Sequence, residues 1–196
     1  MAERTLNQAA AFIERQFGRD NFRFAQVLGN LAVLYWKQKK WTRAESLLLQ
    51  SLGIAEHSLG PAHPNTAGIL DNLGVCYYSR GNLVEAEKAL RRALGIRLKV
   101  FEPGNAKVAL TSLGLAMVLT EQGNYDEARL QYASSLEVLQ QNLGPGAPEV
   151  ALTLEQFAKL LYRMKSVDQA VAMEARAKSI RAELKYTLRA PTNRPR

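Results

Sequence analysis

Two asparagines, Asn30 and Asn72, stand 42 residues apart in stretches whose apolar spacing is helical. Asparagine is unfavourable inside a helix, because its amide competes with the backbone for hydrogen bonds, so a helix-interior amide invites a functional reading. A carboxamide offers two donors and an acceptor, which suits pairing with the main chain of an extended peptide. That is recognition chemistry. Residues for bond-making chemistry are sparse. His57 and His63 are the only histidines, and no cysteine or carboxylate cluster joins them at ligand spacing, so no metal is expected. Cys76, the single cysteine, lies on a packed helical face and reads as a small buried apolar residue. No glycine-rich phosphate loop follows a strand, since no strand pattern is present. No nucleophile–base–acid set stands out. The residues point away from an enzyme and require no cofactor.

The elements that carry the asparagines repeat. Ala2, Ala44, Ala86, Ala128 and Ala170 form a ladder at a 42-residue interval, and Ala25, Ala67, Ala109 and Ala151 form another. Ala9, Ser51, Ala93, Ser135 and Ala177 make a column of small residues. Large apolar Leu31, Leu73, Leu115 and Phe157 are each followed by a small residue: Ala32, Gly74, Ala116 and Ala158. Small beside large at fixed register is what closely packed helix pairs need, so these columns specify packing. Each repeat reads helix, tight turn, helix, longer loop. Gly81 and Gly123 suit left-handed helix ends, whereas Lys39-Lys40 and Lys165-Ser166 fill the same turn without glycine. Pro61, Pro103 and Pro145 break the longer loops, and Pro64 and Pro148 open the next helices. The register predicts about nine helices over 1–187: a lone helix at 2–17, then pairs at about 22–59, 64–101, 106–143 and 148–187. A basic, flexible tail is expected at 188–196. Trp41, Leu83, Tyr125 and Val167 open the second helices and read as core.

The net charge of +8 is concentrated at the end of the chain, where Arg176, Lys178, Arg181, Lys185, Arg189, Arg194 and Arg196 face Glu183 alone. No apolar stretch approaches the ~20 residues of a membrane span, and the first residues lack a secretory signal. A lone cysteine forbids an internal disulfide and suits the cytoplasm or another reducing intracellular compartment.

The run His63-Pro64-Asn65-Thr66-Ala67, Asp71-Asn72-Leu73-Gly74, Tyr77, Gly81-Asn82-Leu83, Ala86-Glu87, Ala93-Leu94 and Ile96-Arg97 resembles a tetratricopeptide repeat. The 42-residue period and loop prolines are similar to the kinesin-light-chain variety, longer than the usual ~34 residues. The resemblance implies an all-α fold, a right-handed superhelical solenoid of antiparallel helix pairs, whose first helices line a concave peptide-binding groove. The paired asparagines of that variety stand here as Asp71-Asn72, become Gly29-Asn30 in the first repeat, and are replaced by Leu113-Gly114 and Glu155-Gln156 in the third and fourth. The family's carboxylate clamp for chaperone tails is not matched, because Gly29 and Val33 occupy its positions. No heptad segment for a motor heavy chain is present.

The register assigns the groove residue by residue. The first repeat contributes Gln26, Asn30, Val33, Trp36 and Lys37, and the second Asp71, Asn72, Val75 and Tyr78. The third contributes Leu113 and Met117, and the fourth Glu155, Gln156, Lys159, Tyr162 and Arg163. Trp36, Tyr78 and Tyr162 share a column that serves either packing or the groove floor. The expected function is a non-enzymatic scaffold or adaptor holding a partner peptide. A second reading is a structural subunit of a larger complex that covers the unpaired first helix. A third is nucleic-acid or anionic-membrane binding through the basic C-terminus, where Tyr186 alone supplies an aromatic ring.

Overall fold

A computed structural model describes residues 2–189, with side chains described through residue 186. Nine helices and no strands occur among the described residues: α1 (Ala2–Phe17), α2 (Phe22–Lys37), α3 (Trp41–Leu59), α4 (Pro64–Ser79), α5 (Leu83–Val100), α6 (Ala106–Gln122), α7 (Tyr125–Leu143), α8 (Pro148–Arg163) and α9 (Val167–Arg189). Helix α9 therefore runs two residues into the stretch expected to be tail; the remainder of that stretch lies outside the described residues.

The chain divides into two compact units, residues 1–102 and 103–196. In the first, α2 pairs with α3 and α4 with α5, while α3 also packs on α4 and α1 on α2. Val27, Leu31, Tyr35, Leu48, Leu70 and Leu73 fill the core, and Leu6 and Ile13 attach α1 to it. In the second, α6 pairs with α7 and α8 with α9, and α7 packs on α8. Leu139, Val150, Leu154, Ala177 and Ile180 belong to its core.

The alanine columns lie at these contacts. Ala44, Ala86, Ala128 and Ala170 are completely buried; Ala2, on the outermost helix, is exposed. Gly74 shows why the column must stay small: a Cβ there would lie 2.5 Å from Leu90 Cγ. Ser51 and Ser135, in another small column, donate from Oγ to the carbonyls of Ala25 (2.7 Å) and Ala109 (2.8 Å), tying second helix to first.

The tight turns follow their residues. Gly81 and Gly123 adopt φ of 76° and 85°. Lys39 and Lys165 adopt the same left-handed conformation, with φ of 59° and 61°, although a side chain is disfavoured there.

Candidate functional site

The stripe of α2 facing solvent is Gln26, Asn30, Val33 and Lys37, spaced four, three and four residues apart, so all lie on one helical face. Gln26, Asn30 and Lys37 are exposed and Val33 is half-buried. On α4 the same register holds Asn72, half-buried, and Val75, 40% exposed. Between the helices lies a depression of about 90 Å³ lined by Ala32, Val33, Trp36, Leu48, Asn72 and Val75. Four predicted groove residues thus meet around one small apolar recess. Neither Asn30 nor Asn72 has a side-chain hydrogen bond to another described residue. Their amides remain available at the recess and one helical face away.

The aromatic column divides. Trp36 donates from Nε1 to Ser79 Oγ at 2.8 Å and meets the edge of Trp41 at a ring distance of 6.4 Å. It therefore packs between repeats and also walls the recess. Tyr78 is half-buried. Tyr162 donates to Glu174 Oε2 at 3.2 Å, and its phenol is pushed above its ordinary pKa by desolvation and by that carboxylate.

Leu113 is placed elsewhere, and several other predicted residues have partners within the fold. Leu113 is only 4% exposed and cannot line an open groove. Its helix, α6, is apolar around most of its circumference, so burial there is not confined to one stripe. Asp71 forms a 2.5 Å ion pair with Arg97 of α5, and Glu155 a 3.0 Å pair with Arg181 of α9. Both acids sit at the register of Leu113, which turns toward the helix's own partner. The Arg181 guanidinium is held above its usual pKa chiefly by Glu155. Arg163 donates to both carboxylate oxygens of Glu121 at 2.9 Å and to the Thr120 carbonyl at 2.8 Å. Lys159 donates to Gln156 Oε1 at 3.2 Å, and Met117 is half-buried. The open amides are in the first unit; the predicted polar residues of the second are engaged internally.

Other chemistry is absent among the described residues. No group of histidine, cysteine and acidic side chains is arranged to hold a metal ion. Cys76 is buried, and desolvation raises its thiol pKa above the ordinary value, which disfavours the reactive thiolate. No helix is long and apolar enough to cross a membrane.

The match to a family model decides the lineage: the tetratricopeptide-repeat model covers residues 23–99 and 107–183. The chain belongs to the tetratricopeptide-repeat family. Among solved structures, BtubC (BKLC) from P. vanneervenii is similar at 25% identity and a TM-score of 0.78, over 92% of this chain and 72% of that one. A Podosopora anserina protein of nearly identical kinesin-light-chain TPR-like repeats shares the fold at 19% identity and a TM-score of 0.71, over 96% and 88% of the two chains. MamA shares it at 15% identity and a TM-score of 0.60, over 91% and 88%. With the kinesin-light-chain and MamA structures the likeness is one of fold. No curated protein matches the sequence. Repeats of this family generally serve as protein-interaction scaffolds and are typically non-enzymatic.

The two family matches each span a pair of repeats, and the structure repeats at that double interval. The serine-to-carbonyl locks recur from Ser51 to Ser135, and the acid–arginine pairs from Asp71–Arg97 to Glu155–Arg181. Asn21 and Asn105 cap α2 and α6 alike, each accepting from the backbone N–H two residues on. The single-repeat alanine columns conceal this longer period. Its sequence signal is the recurrence of both partners, acid and arginine, at twice the repeat length.

Proposed function

We propose that the chain is an adaptor that holds a short extended segment of a partner protein against α2 and α4. The observation supporting this is the recess walled by Val33, Trp36, Asn72 and Val75, with unengaged amides at Asn30 and Asn72. A small aliphatic side chain fits the recess as an anchor, and the amides pair with the flanking main chain. Anchor burial supplies affinity, while backbone pairing gives binding with little sequence demand. The structural-subunit reading keeps one support, the exposure of Phe12 and Phe17 on α1.

The test is calorimetric titration of a partner segment, recovered by pull-down with the wild-type chain, into wild type and the Asn30→Ala/Asn72→Ala variant. The expected result is weaker binding by about 1–3 kcal/mol with an unchanged melting temperature, since each lost amide leaves backbone groups unpaired in the complex. Equal affinities would remove the recess from the account of binding.

A further inference from the structure

The turn joining α2 to α3 breaks three local rules at once. Lys39 occupies a left-handed conformation (φ 59°) where the next two repeats use Gly81 and Gly123. The first turn of α3 has no acidic residue, whereas α5 has Glu85, α7 has Asp126 and Glu127, and α9 has Asp168. Cations gather there instead, at the positive end of the helix dipole, where they are disfavoured. Local rules broken together are expected at functional or strained sites.

Compensation inside the unit is partial: its carboxylates are mostly committed to other cations. Glu14, Glu45, Glu56, Asp71, Glu85 and Glu87 are paired with Arg19, Arg80, Arg92, Arg97, Lys88 and Arg91 respectively. Glu3, on α1, accepts the Tyr35 hydroxyl at 2.6 Å and is held below its ordinary pKa by that bond first and by the charges of Lys40 and Arg43 as well, so one carboxylate partly offsets four cations. Lys37, Lys39, Lys40 and Arg43 have no carboxylate hydrogen-bonded or ion-paired to them among the described residues. The fourth repeat also has a lysine in its turn, Lys165, but its neighbour Arg163 is held by Glu121.

The cations are also held in place. The Arg43 guanidinium lies 4.3 Å and the Lys40 ammonium 5.6 Å from the centroid of the Tyr35 ring. That ring is 2% exposed and its hydroxyl is fixed by Glu3. Side chains already ordered lose less entropy when a ligand binds.

We propose that Lys37, Lys39, Lys40 and Arg43 form a docking surface for a run of carboxylates on a partner protein. An acidic segment matches several fixed point charges within one turn. A nucleic acid is less suited, because Trp36 and Trp41 are half-buried against each other and offer no face for base stacking. A bilayer is less suited, because no large apolar side chain between residues 18 and 48 is exposed. The surface adjoins the recess at Lys37, which shares a helical face with Asn30 and Val33, and extends from there along the turn.

The test uses the full chain and a fluorescein-labelled peptide of alternating glutamate and aspartate, with an uncharged glutamine–asparagine peptide as control. Fluorescence anisotropy at low ionic strength should show binding of the acidic peptide only, weakening steeply with salt. Lys39→Glu/Lys40→Glu should reduce affinity more than tenfold, while Lys165→Gly, at the corresponding turn of the other unit, leaves it unchanged. Lys39→Gly relieves the turn and removes one cation, so reduced binding by this variant reads charge and not unfolding. The proposal is overturned if the acidic peptide does not bind, or if Lys39→Glu/Lys40→Glu and Lys39→Gly both bind it as wild type does. It is equally overturned if Lys178→Glu/Lys185→Glu on α9 abolishes the binding instead, or if single-stranded RNA or phosphatidylserine vesicles bind the turn more tightly than the peptide.

Discussion

Gly74 sets two opposing effects against each other at one atom. Alanine is a better helix former than glycine by about 0.8–1 kcal/mol. The added Cβ, however, would lie 2.5 Å from Leu90 Cγ and 2.8 Å from its Cδ2, and Leu90 is itself 2% exposed. Overpacking a filled core costs about 1–3 kcal/mol. Packing should win, so Gly74→Ala lowers stability in urea by roughly 1 kcal/mol despite the gain in propensity. The clash is specific: in a double-mutant cycle, Gly74→Ala should be less harmful, or even stabilising, when Leu90 is already alanine. Additive losses would show that Leu90 is not what excludes a side chain at this position. The same column holds alanine at Ala32, Ala116 and Ala158, all fully buried.

At the scale of helices, the boundaries were legible because Gly and Pro punctuate them: Pro64 and Pro148 open α4 and α8, and Gly81 and Gly123 end turns. The recess was legible for a related reason, since Asn30, Val33, Asn72 and Val75 fall on faces that the apolar stripe leaves to solvent. Leu113 was not legible, because α6 is apolar nearly all round and periodicity gives its outward face no mark. The ion pairs of Asp71 and Glu155 were not legible, because an acid on a helix does not announce its partner. Arg97 and Arg181 lie on the following helices and reach back across the hairpin. These pairs differ in worth from surface pairs. Arg97 is 8% exposed, and losing it leaves Asp71 partly desolvated and unbalanced. Arg97→Met should therefore destabilise by about 1–3 kcal/mol. Lys88→Ala, which breaks an exposed pair with Glu85, should cost under about 0.5 kcal/mol. Chemical denaturation of both variants separates a clasp between α4 and α5 from ornament on the surface of α5.

For the molecule as a whole, the skeleton recurs from one unit to the other while the exposed chemistry does not. Caps at Asn21 and Asn105, locks at Ser51 and Ser135 and the acid–arginine pairs are shared. The recess with its open amides and the four turn cations lie in the first unit, whereas at the last turn of the second Glu121 binds Arg163. Lys39 and Lys165 test whether stability and recognition are divided the same way. Both lysines adopt left-handed φ, of 59° and 61°. Glycine accepts that conformation freely, and the relief outweighs the extra freedom of the unfolded chain, so each Lys→Gly change should stabilise by about 0.5–1 kcal/mol. For a chain of this length that corresponds to a rise of about 1–4 °C in melting temperature. The two sites share no hydrogen-bond or ion-pair partner, so the increments should add. Binding should separate them: Lys39→Gly weakens capture of an acidic peptide, and Lys165→Gly leaves it as in wild type. Calorimetric melting beside anisotropy on the two single variants and the double reads both properties. If both changes stabilised and neither touched binding, the lysine at the first turn would be a tolerated strain with no bearing on recognition.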